Sequence, residues 1–242
     1  MAAIPNARRR AREELTLEIK EEARRQLAVE GAQRLSLRAV ARELGMVSSA
    51  LYRYFPSRDD LLTALIIDAY SALGEQAEQA VAAAPPAEPR ARWRALCHSV
   101  RDWACDRPHE YALLYGTPVP GYRAPAATVA PAARVILALI DVLRTTARTG
   151  SESLPHARTS RPPAARVPTG TLAEQLTGLA RQTAPELDPT ALARGLIAWT
   201  QLFGMVSFEL FGHLVGSADP AGPFFAHTVE EMADFLGLPP SP

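Results

Sequence analysis

Two short apolar patterns separated by a glycine constrain this chain more than any other feature. They lie in the stretch from Leu37 to Phe55, LRAVARELGMVSSALYRYF. Two helices that cross through a tight turn need a small residue at the crossing, a glycine with positive φ, and a large apolar residue that packs back. Ala41, Gly45 and Leu51 supply them at the spacing Ala-x3-Gly-x5-Leu. This is the spacing of a DNA-reading helix-turn-helix; the alternative is an ordinary corner between two helices.

The second helix of this pair is predicted to turn a polar face to solvent. With Leu51 and Phe55 directed inward, the outward positions are Ser48, Ser49, Tyr52 and Arg53, with Tyr54 alongside. Hydroxyl groups and aromatic tips suit the base edges and phosphates of a major groove, which is wide enough to admit a helix. We therefore predict that this face contacts DNA.

Helical periodicity surrounds this stretch, and sustained period-2 alternation is nearly absent. Gly31 is expected to end the first helix, and Ser36 to cap the second. We predict an all-α protein of about nine helices. Apart from the pair at 37–55, they cover approximately 15–30, 57–84, 89–104, 111–115, 131–148, 189–215 and 224–236.

Composition and charge disfavour a membrane-spanning or secreted protein and favour one that binds nucleic acid. Hydrophobic residues make up 48% of the chain, which suits a packed core, and no apolar run approaches the roughly 18 residues that span a bilayer. Residues 1–58 hold 12 Lys and Arg against 7 Asp and Glu, a charge of +5, and the remainder carries −5. A basic excess there suits phosphate contacts. The basic N-terminus has no apolar stretch behind it, so we expect a cytoplasmic protein.

The segment from Gly45 to Phe55, continued by PSRDDLL, resembles the signature G-V-S-x-G-x-L-Y-x-H-F-x-[ST]-K-x-x-L-L of the TetR family of repressors. The resemblance is strong over about 12–75. It implies a three-helix DNA-binding head, a fourth helix that links it to the rest, and a helical body for ligand binding and dimerisation. We assign the head to 1–60 and the body to 61–242, with a mobile loop at 151–170.

The resemblance also assigns roles by position. It implies DNA contacts from Ser48, Ser49, Tyr52 and Tyr54, the last standing where the family often has His. Arg58 replaces a Lys that is expected to contact a phosphate, and Arg38 would contact backbone phosphate early in the second helix. Val47 occupies the place of the usual N-cap serine, so the start of the DNA-reading helix departs from the pattern.

Two later stretches, 101–122 and 198–214, resemble an actinobacterial subgroup with a tryptophan/histidine/glycine signature. In that subgroup the last two helices of each subunit form a four-helix dimer interface. The apolar residues of 196–211 cover too much of a helix for a one-sided surface, which independently favours an interface. The candidate interface residues are Leu196, Gly204, Phe208, Phe211 and Gly212.

Several clusters allow more than one interpretation. Trp103, Tyr111, Tyr115, Trp199 and Phe203 are candidates for an aromatic effector pocket, or for ordinary core packing. The cluster Arg8-Arg9-Arg10-Ala11-Arg12 is either a DNA-contacting arm or a solvated terminus. Cys97, His98, Cys105 and His109 lack the geometry of a metal site, so we expect buried thiols.

We expect no catalytic residues, no metal and no cofactor. The predicted partners are double-stranded DNA bearing a palindromic operator, a second copy of the chain, and an unidentified small molecule that releases a repressor. Two alternatives remain at this point. One is a helical enzyme or lipid-binding module that retained the head, and the other is an activator or a nucleoid-type DNA binder.

Overall fold

The computed structural model describes residues 3–152 and 166–240, and over these residues the chain is helical, without β-strands. The all-α prediction is confirmed. The helices are α1 (Ala3–Glu30), α2 (Leu37–Glu43), α3 (Ser48–Leu51), α4 (Arg58–Ala83), α5 (Pro89–Asp106), α6 (Pro108–Tyr115), α7 (Val129–Glu152), α8 (Gly170–Thr183), α9 (Pro189–Leu210) and α10 (Ala221–Leu236).

Apart from α3, which is shorter than predicted, the structure differs most from the predicted helix pattern at α1, α8 and α9. α1 begins at Ala3 and not near residue 15. α8 was not predicted, because its buried side is narrow and its sequence is otherwise polar; only Leu176 and Ala180 are buried. α9 ends at Leu210 and not near residue 215. Gly212 has φ +76° just after the helix, and the His213 N–H donates to the Phe208 carbonyl at 2.8 Å, which is a Schellman ending. Most of the predicted loop at 151–170, residues 153–165, lies outside the described residues.

The chain divides by packing into two compact units. Unit 1 comprises Met1–Ala72 and Arg107–Ala132, and unit 2 comprises Leu73–Asp106 and Ala133–Pro242. Unit 1 therefore includes α6 and the loop after it in addition to the N-terminal helices. The head-and-body division at residue 60 describes function and not packing, and it stays a prediction.

Unit 1 is built around an apolar core. Ile19, Leu51 and Leu61 are fully buried in it, and Leu113 and Tyr122 of the α6 region pack against its surface. The hydroxyl groups of Thr63 and Tyr122 are hydrogen-bonded at 2.9 Å, which attaches the loop after α6 to α4. Burial of large apolar side chains is the dominant favourable contribution to folding, so this core holds α1 to α4 in place.

Ion pairs at the edge of unit 1 join three of its helices. Lys20 Nζ and Arg24 Nη2 of α1 each lie 2.9 Å from a carboxylate oxygen of Asp68 on α4. Arg24 Nε also lies 3.5 Å from Glu110 on α6. α1 is therefore bound to both α4 and α6 by charges that are largely shielded from water.

Unit 2 has a core of aromatic and aliphatic side chains. Trp93 and Trp103 of α5 are almost fully buried there. The Trp93 indole N–H donates to the Val229 carbonyl of α10 at 2.8 Å. α9 packs against α8, α10 and α5. Gly195 brings α9 close to α7, since a Cβ at that position would meet the Leu143 side chain at 2.9 Å.

Two helical segments, Ala126–Thr146 and Pro189–Leu210, are long and apolar enough to cross a membrane by length and composition alone, although the sequence suggested none. Core helices of folded domains pass the same criterion. In the first segment, Arg134 and Arg144 form ion pairs with Glu78 and Glu186. The second buries one face in unit 2. Both are accounted for as packed helices of this protein.

Candidate nucleic-acid interface

The turn between α2 and α3 is fixed by the residues that the sequence indicated. Gly45 has φ +65°, a backbone conformation that side-chain-bearing residues rarely adopt. The Met46 N–H donates to the Ala41 carbonyl at 2.8 Å, which closes the turn. Ala41 and Leu51 are buried, so the two helices cross in close contact. Ser36 caps α2, its hydroxyl oxygen accepting from the Ala39 N–H at 3.4 Å.

Three of the five residues predicted to face outward near α3 are exposed. Leu51 is fully buried, whereas the next residue, Tyr52, has 41% of its surface exposed. Ser49 and Arg53 are also exposed, and Ser48 is half-buried. Arg38 on α2 is exposed as well. These residues present hydroxyl, phenol and guanidinium groups to solvent; the DNA contact of each residue stays a prediction.

α3 is shorter than the predicted helix that reaches Phe55. It covers Ser48–Leu51, and turns follow up to Tyr54. The Tyr54 N–H donates to the Leu51 carbonyl at 2.8 Å, a tighter i→i+3 bond than an α-helix has. Two features limit the length. Val47 offers no side-chain cap at the start, and Pro56 disfavours a helical conformation for Phe55.

Tyr54 is less outward than the sequence suggested. Its ring is half-buried and packs against the core of unit 1. The Arg12 guanidinium carbon lies 5.5 Å from the ring centroid, in cation–π contact. The two side chains help to line a cleft of about 210 Å³ between α1 and α3. Tyr54 thus connects the helix pair to α1, a neighbour that motif spacing alone does not reveal.

Arg58 has partners inside the protein. Its guanidinium donates to the carbonyl oxygens of Ala32 at 2.7 Å, Leu35 at 3.1 Å and Gln33 at 3.3 Å. These bonds attach the connection between α1 and α2 to the start of α4. The structure therefore gives Arg58 a positioning role that the sequence analysis missed, and its phosphate contact stays a prediction.

The five candidate effector-pocket residues fall in different units. Tyr111 and Tyr115 belong to unit 1, where their ring centroids are 5.1 Å apart. Burial raises the pKa of the Tyr115 phenol, and the neighbouring phenols of Tyr70 and Tyr111 raise it further. In unit 2, Trp103 and Phe203 are buried, and the ring centroids of Trp199 and Phe203 are 5.6 Å apart. These contacts agree with the core-packing alternative, and the pocket assignment stays untested.

Unit 2 contains a cleft at another place. Its volume is about 410 Å³, and it is lined by Arg101, Glu209 and residues of the segment 214–222. Arg101 Nε lies 2.7 Å from Glu209 Oε2, and the Arg101 guanidinium lies over the Phe225 ring at 5.1 Å. None of the five candidate pocket residues lines this cleft.

The cysteines are free thiols; Cys97 is buried as expected, whereas Cys105 is exposed, so the expectation of two buried thiols is wrong for Cys105. Burial raises the pKa of the Cys97 thiol well above its ordinary value. The Cys105 pKa is also raised, first by partial burial and then by the Glu209 carboxylate. A raised pKa disfavours the reactive thiolate. Among the described residues, no group of three His, Cys, Asp or Glu side chains is arranged for a metal ion.

The candidate interface residues occupy different environments. Phe208 and Phe211 are exposed, and Gly212 is exposed at the end of α9. Leu196 and Gly204 are half-buried. Ile197 has about half of its surface exposed and was not singled out from the sequence. A helical wheel would have found it, because it lies seven residues before Gly204 and eleven before Phe208.

Comparison with known proteins identifies two regions of the chain that match known family models. Residues 19–65 match the family model described as bacterial regulatory proteins, tetR family. Residues 93–232 match the model of the tetracyclin repressor-like C-terminal domain.

Proteins that are similar over most of this chain point to the same family. The HTH-type transcriptional regulators Rv1816 of Mycobacterium tuberculosis strain H37Rv and Mb1846 of Mycobacterium bovis are each 37% identical over 91% of this chain and 92% of their own length. The crystal structure of the protein SCO4313 has a TM-score of 0.73 and 33% identity, over 93% of this chain and 97% of that one. With a family model over more than half of its length and relatives at this identity, the chain belongs to the TetR family of DNA-binding transcriptional regulators.

Proposed function

We propose that the protein is a repressor that binds a palindromic operator as a homodimer, through α3, and leaves it when a small molecule binds. The contrast between Leu51 and Tyr52 carries the proposal. Leu51 is fully buried and fixes α3 to the core, while its neighbour Tyr52 is exposed between Ser49 and Arg53. A helix held from behind in this way offers its polar side to a major groove.

The charge of the N-terminal region supports DNA as the partner. Residues 1–58 carry a formal charge of +5 in a chain whose net charge is zero. Neutralisation of phosphates by Lys and Arg releases counterions and supplies most non-specific affinity for DNA. Arg38 and Arg53 are exposed on α2 and on the turn after α3, where they are free to approach a backbone.

The exposed face of α9 supports the homodimer. Ile197, Gly204, Phe208 and Phe211 follow one another at spacings of seven, four and three residues, which places them on one side of the helix. Phe208 has 54% of its surface exposed. A Cβ added at Gly204 would have open space around it, so the centre of this face is low enough for another helix to approach closely. Two-fold pairing would present two α3 helices to successive major grooves, about 34–36 Å apart.

Release by a small molecule is supported by the match of residues 93–232 to the tetracyclin repressor-like C-terminal domain. The unit 2 cleft of about 410 Å³ is large enough for a small ligand. A ligand releases the operator only if it binds the non-binding conformation more tightly. We propose that the protein acts in the cytoplasm, where its DNA target is.

Tyr52→Ala tests the role of α3. Genomic fragments bound by the wild type would first be selected and footprinted; a short palindrome is expected. The variant removes the largest exposed side chain of the DNA-reading surface, so we expect specific footprints to disappear while the circular dichroism spectrum is retained. Leu172→Ala is the control, because Leu172 is 50% exposed and lies on α8 in unit 2. A retained footprint in Tyr52→Ala would contradict the role assigned to α3.

Phe208→Asp tests the homodimer. A carboxylate in the centre of an apolar interface would be desolvated without a partner, which strongly disfavours association. We expect a monomer by light scattering and loss of the palindromic footprint. Leu172→Asp makes the same exchange at a similarly exposed apolar residue and should leave the dimer intact. If Phe208→Asp remains dimeric, the interface lies elsewhere.

A further inference from the structure

The first turns of α1 carry an arginine cluster that the α3 surface does not include. This cluster consists of Arg8, Arg9, Arg10 and Arg12. α1 begins at Ala3, but its side chains from residue 7 to residue 14 are all exposed. Ile19 is the first of its described side chains to be fully buried. The N-terminal part of α1 is therefore a solvent-exposed extension of a helix whose later turns are anchored in the core.

The direction of this extension follows from three successive contacts. Ile19 lies in the core of unit 1, Leu15 is half-buried against that core, and Arg12 lies over the Tyr54 ring at 5.5 Å. Each step toward the N-terminus thus moves α1 outward along the side where the chain leaves α3. At 1.5 Å per residue, Arg8 is about 6 Å beyond Arg12 and on the same face of the helix. The extension passes next to the DNA-reading surface.

The charges of the extension are only partly balanced within the helix, because residues 7–14 hold four arginines and two glutamates. Arg8 and Arg12 stand four residues apart, an arrangement in which like charges destabilise a helix. Arg9 Nε lies 3.8 Å from Glu13, but both side chains are more than 60% exposed, so this pair contributes little. The first turn of α1 contains no acidic residue. A nearby polyanion would turn this repulsion into a favourable interaction.

We infer that the arginine cluster is a second DNA-binding surface, which binds the phosphate backbone beside the groove that α3 occupies. Arg8, Arg9 and Arg10 point about 100° apart around the helix, so they cannot all enter one groove as base contacts would require. Long side chains on different sides of the helix can instead reach phosphates on both sides of that groove, which needs only charge and length. The surface therefore adds affinity without sequence preference. This inference rests on the proposed function, because it needs α3 on a duplex.

The test is the salt dependence of DNA binding by the triple variant Arg8→Gln, Arg9→Gln, Arg10→Gln. Arg12 is retained because it packs on Tyr54, and Gln keeps a good helix propensity. The control triple variant, Arg123→Gln, Arg166→Gln, Arg181→Gln, removes the same charge from exposed positions outside α1 to α3. Affinity is measured by fluorescence anisotropy with two labelled duplexes, one of random sequence and one recovered by selection, between about 50 and 200 mM salt.

We expect the cluster variant to bind both duplexes more weakly, with the slope of log K against log salt reduced by about 2–3, since each lost phosphate contact removes about 0.9. The affinity ratio between the two duplexes should not change. The control variant should keep the wild-type slope. A second variant with Lys at all three positions should recover most of the affinity, because a phosphate contact requires charge and not the guanidinium shape.

Four results would overturn the inference. The first two are a wild-type slope in the cluster variant and an equal loss in the control variant. The third is a fall in the affinity ratio, which would indicate base contacts, and the fourth is failure of the lysine variant to recover affinity. If the wild type binds neither duplex, the proposed function itself fails, and this outcome is distinct from the others. The melting temperature of the cluster variant should not fall below that of the wild type, since the side chains of Arg8, Arg9 and Arg10 are exposed.

Discussion

The two units of the molecule place their arginines differently. In unit 2, Arg90 and Arg92 are each only 8% exposed. Arg90 is paired with Glu230 and Asp234 of α10, and Arg92 with Asp141 of α7. In unit 1, no arginine belongs to the buried set over the described residues, and its buried core is dominated by aliphatic side chains.

This difference follows from what each unit has to do. Burying a guanidinium removes its water, and carboxylates and carbonyls must offset this cost. Their negative charge neutralises the arginine, so it is no longer available to bind a polyanion. Such a pair is useful for joining helices. A surface that binds a polyanion needs its cations in water, within reach of phosphates. Unit 1 keeps most of its arginines exposed and is held together mainly by apolar packing, with the ion pairs of Lys20 and Arg24 at its edge.

The comparison predicts the largest effect for a cavity in the core of unit 1. Leu51→Ala removes a fully buried side chain, which costs about 2–5 kcal/mol in comparable cores. We expect this loss in the free energy of unfolding from urea denaturation, together with loss of DNA binding because α3 is no longer held. Leu172→Ala, at an exposed position, should change stability by less than about 0.5 kcal/mol. A loss below about 1 kcal/mol for Leu51→Ala would contradict the dependence of unit 1 on apolar packing.

An intermediate effect is expected from a buried arginine of unit 2. Arg92 donates to the Val81 carbonyl at 3.4 Å, to Asp141 at 2.5 Å and to the Thr145 hydroxyl. Arg92→Met keeps the apolar part of the side chain and leaves these acceptors without their donor, at a cost of about 1–3 kcal/mol. Asp141 is nearly half exposed and stays hydrated, which limits the loss. Urea denaturation measures the loss of free energy of unfolding, with the exposed Arg181→Met as control. Equal stability of the two variants would mean that the Arg92–Asp141 pair does not stabilise unit 2.

The smallest effect concerns pH. The hydrogen bond from Arg94 holds the pKa of Glu230 below its ordinary value of 4.5, and Arg90 contributes. A lowered pKa means that the carboxylate stabilises the fold above pH 4.5 and that this contribution disappears as the pH falls through the lower, folded-state value. The melting temperature of the wild type should therefore fall more steeply on acidification below about pH 5 than that of Glu230→Gln. If the melting temperatures of the two proteins fall in parallel with pH, Glu230 does not contribute to the stability of unit 2.

Much of unit 1 could be predicted because its signals are local. Gly31 and Ser36 set the end of α1 and the start of α2, and Gly45 sets the turn before α3, each through the backbone conformation or capping bond of that residue. The exposure of Tyr52 followed from the position of Leu51 one residue earlier. Local periodicity also predicted the helix that begins at Pro189, although not its end at the Schellman turn.

The partners of individual side chains could not be predicted in the same way. Tyr54 was assigned to the outer face of α3, yet its ring meets Arg12, 42 residues earlier. Arg58 was assigned to a phosphate, yet it donates to carbonyls 23 to 26 residues earlier. α8 was missed because only two buried residues mark it.

The sequence by itself determined most of the helices, the glycine turn and the family, since these depend on residues within a few positions of one another. The tertiary structure alone decided that α6 packs with the N-terminal helices, which arginines are buried, and where the extension of α1 leads. Those outcomes depend on which helices become neighbours, and that is set by the packing of the whole core and not by any local pattern.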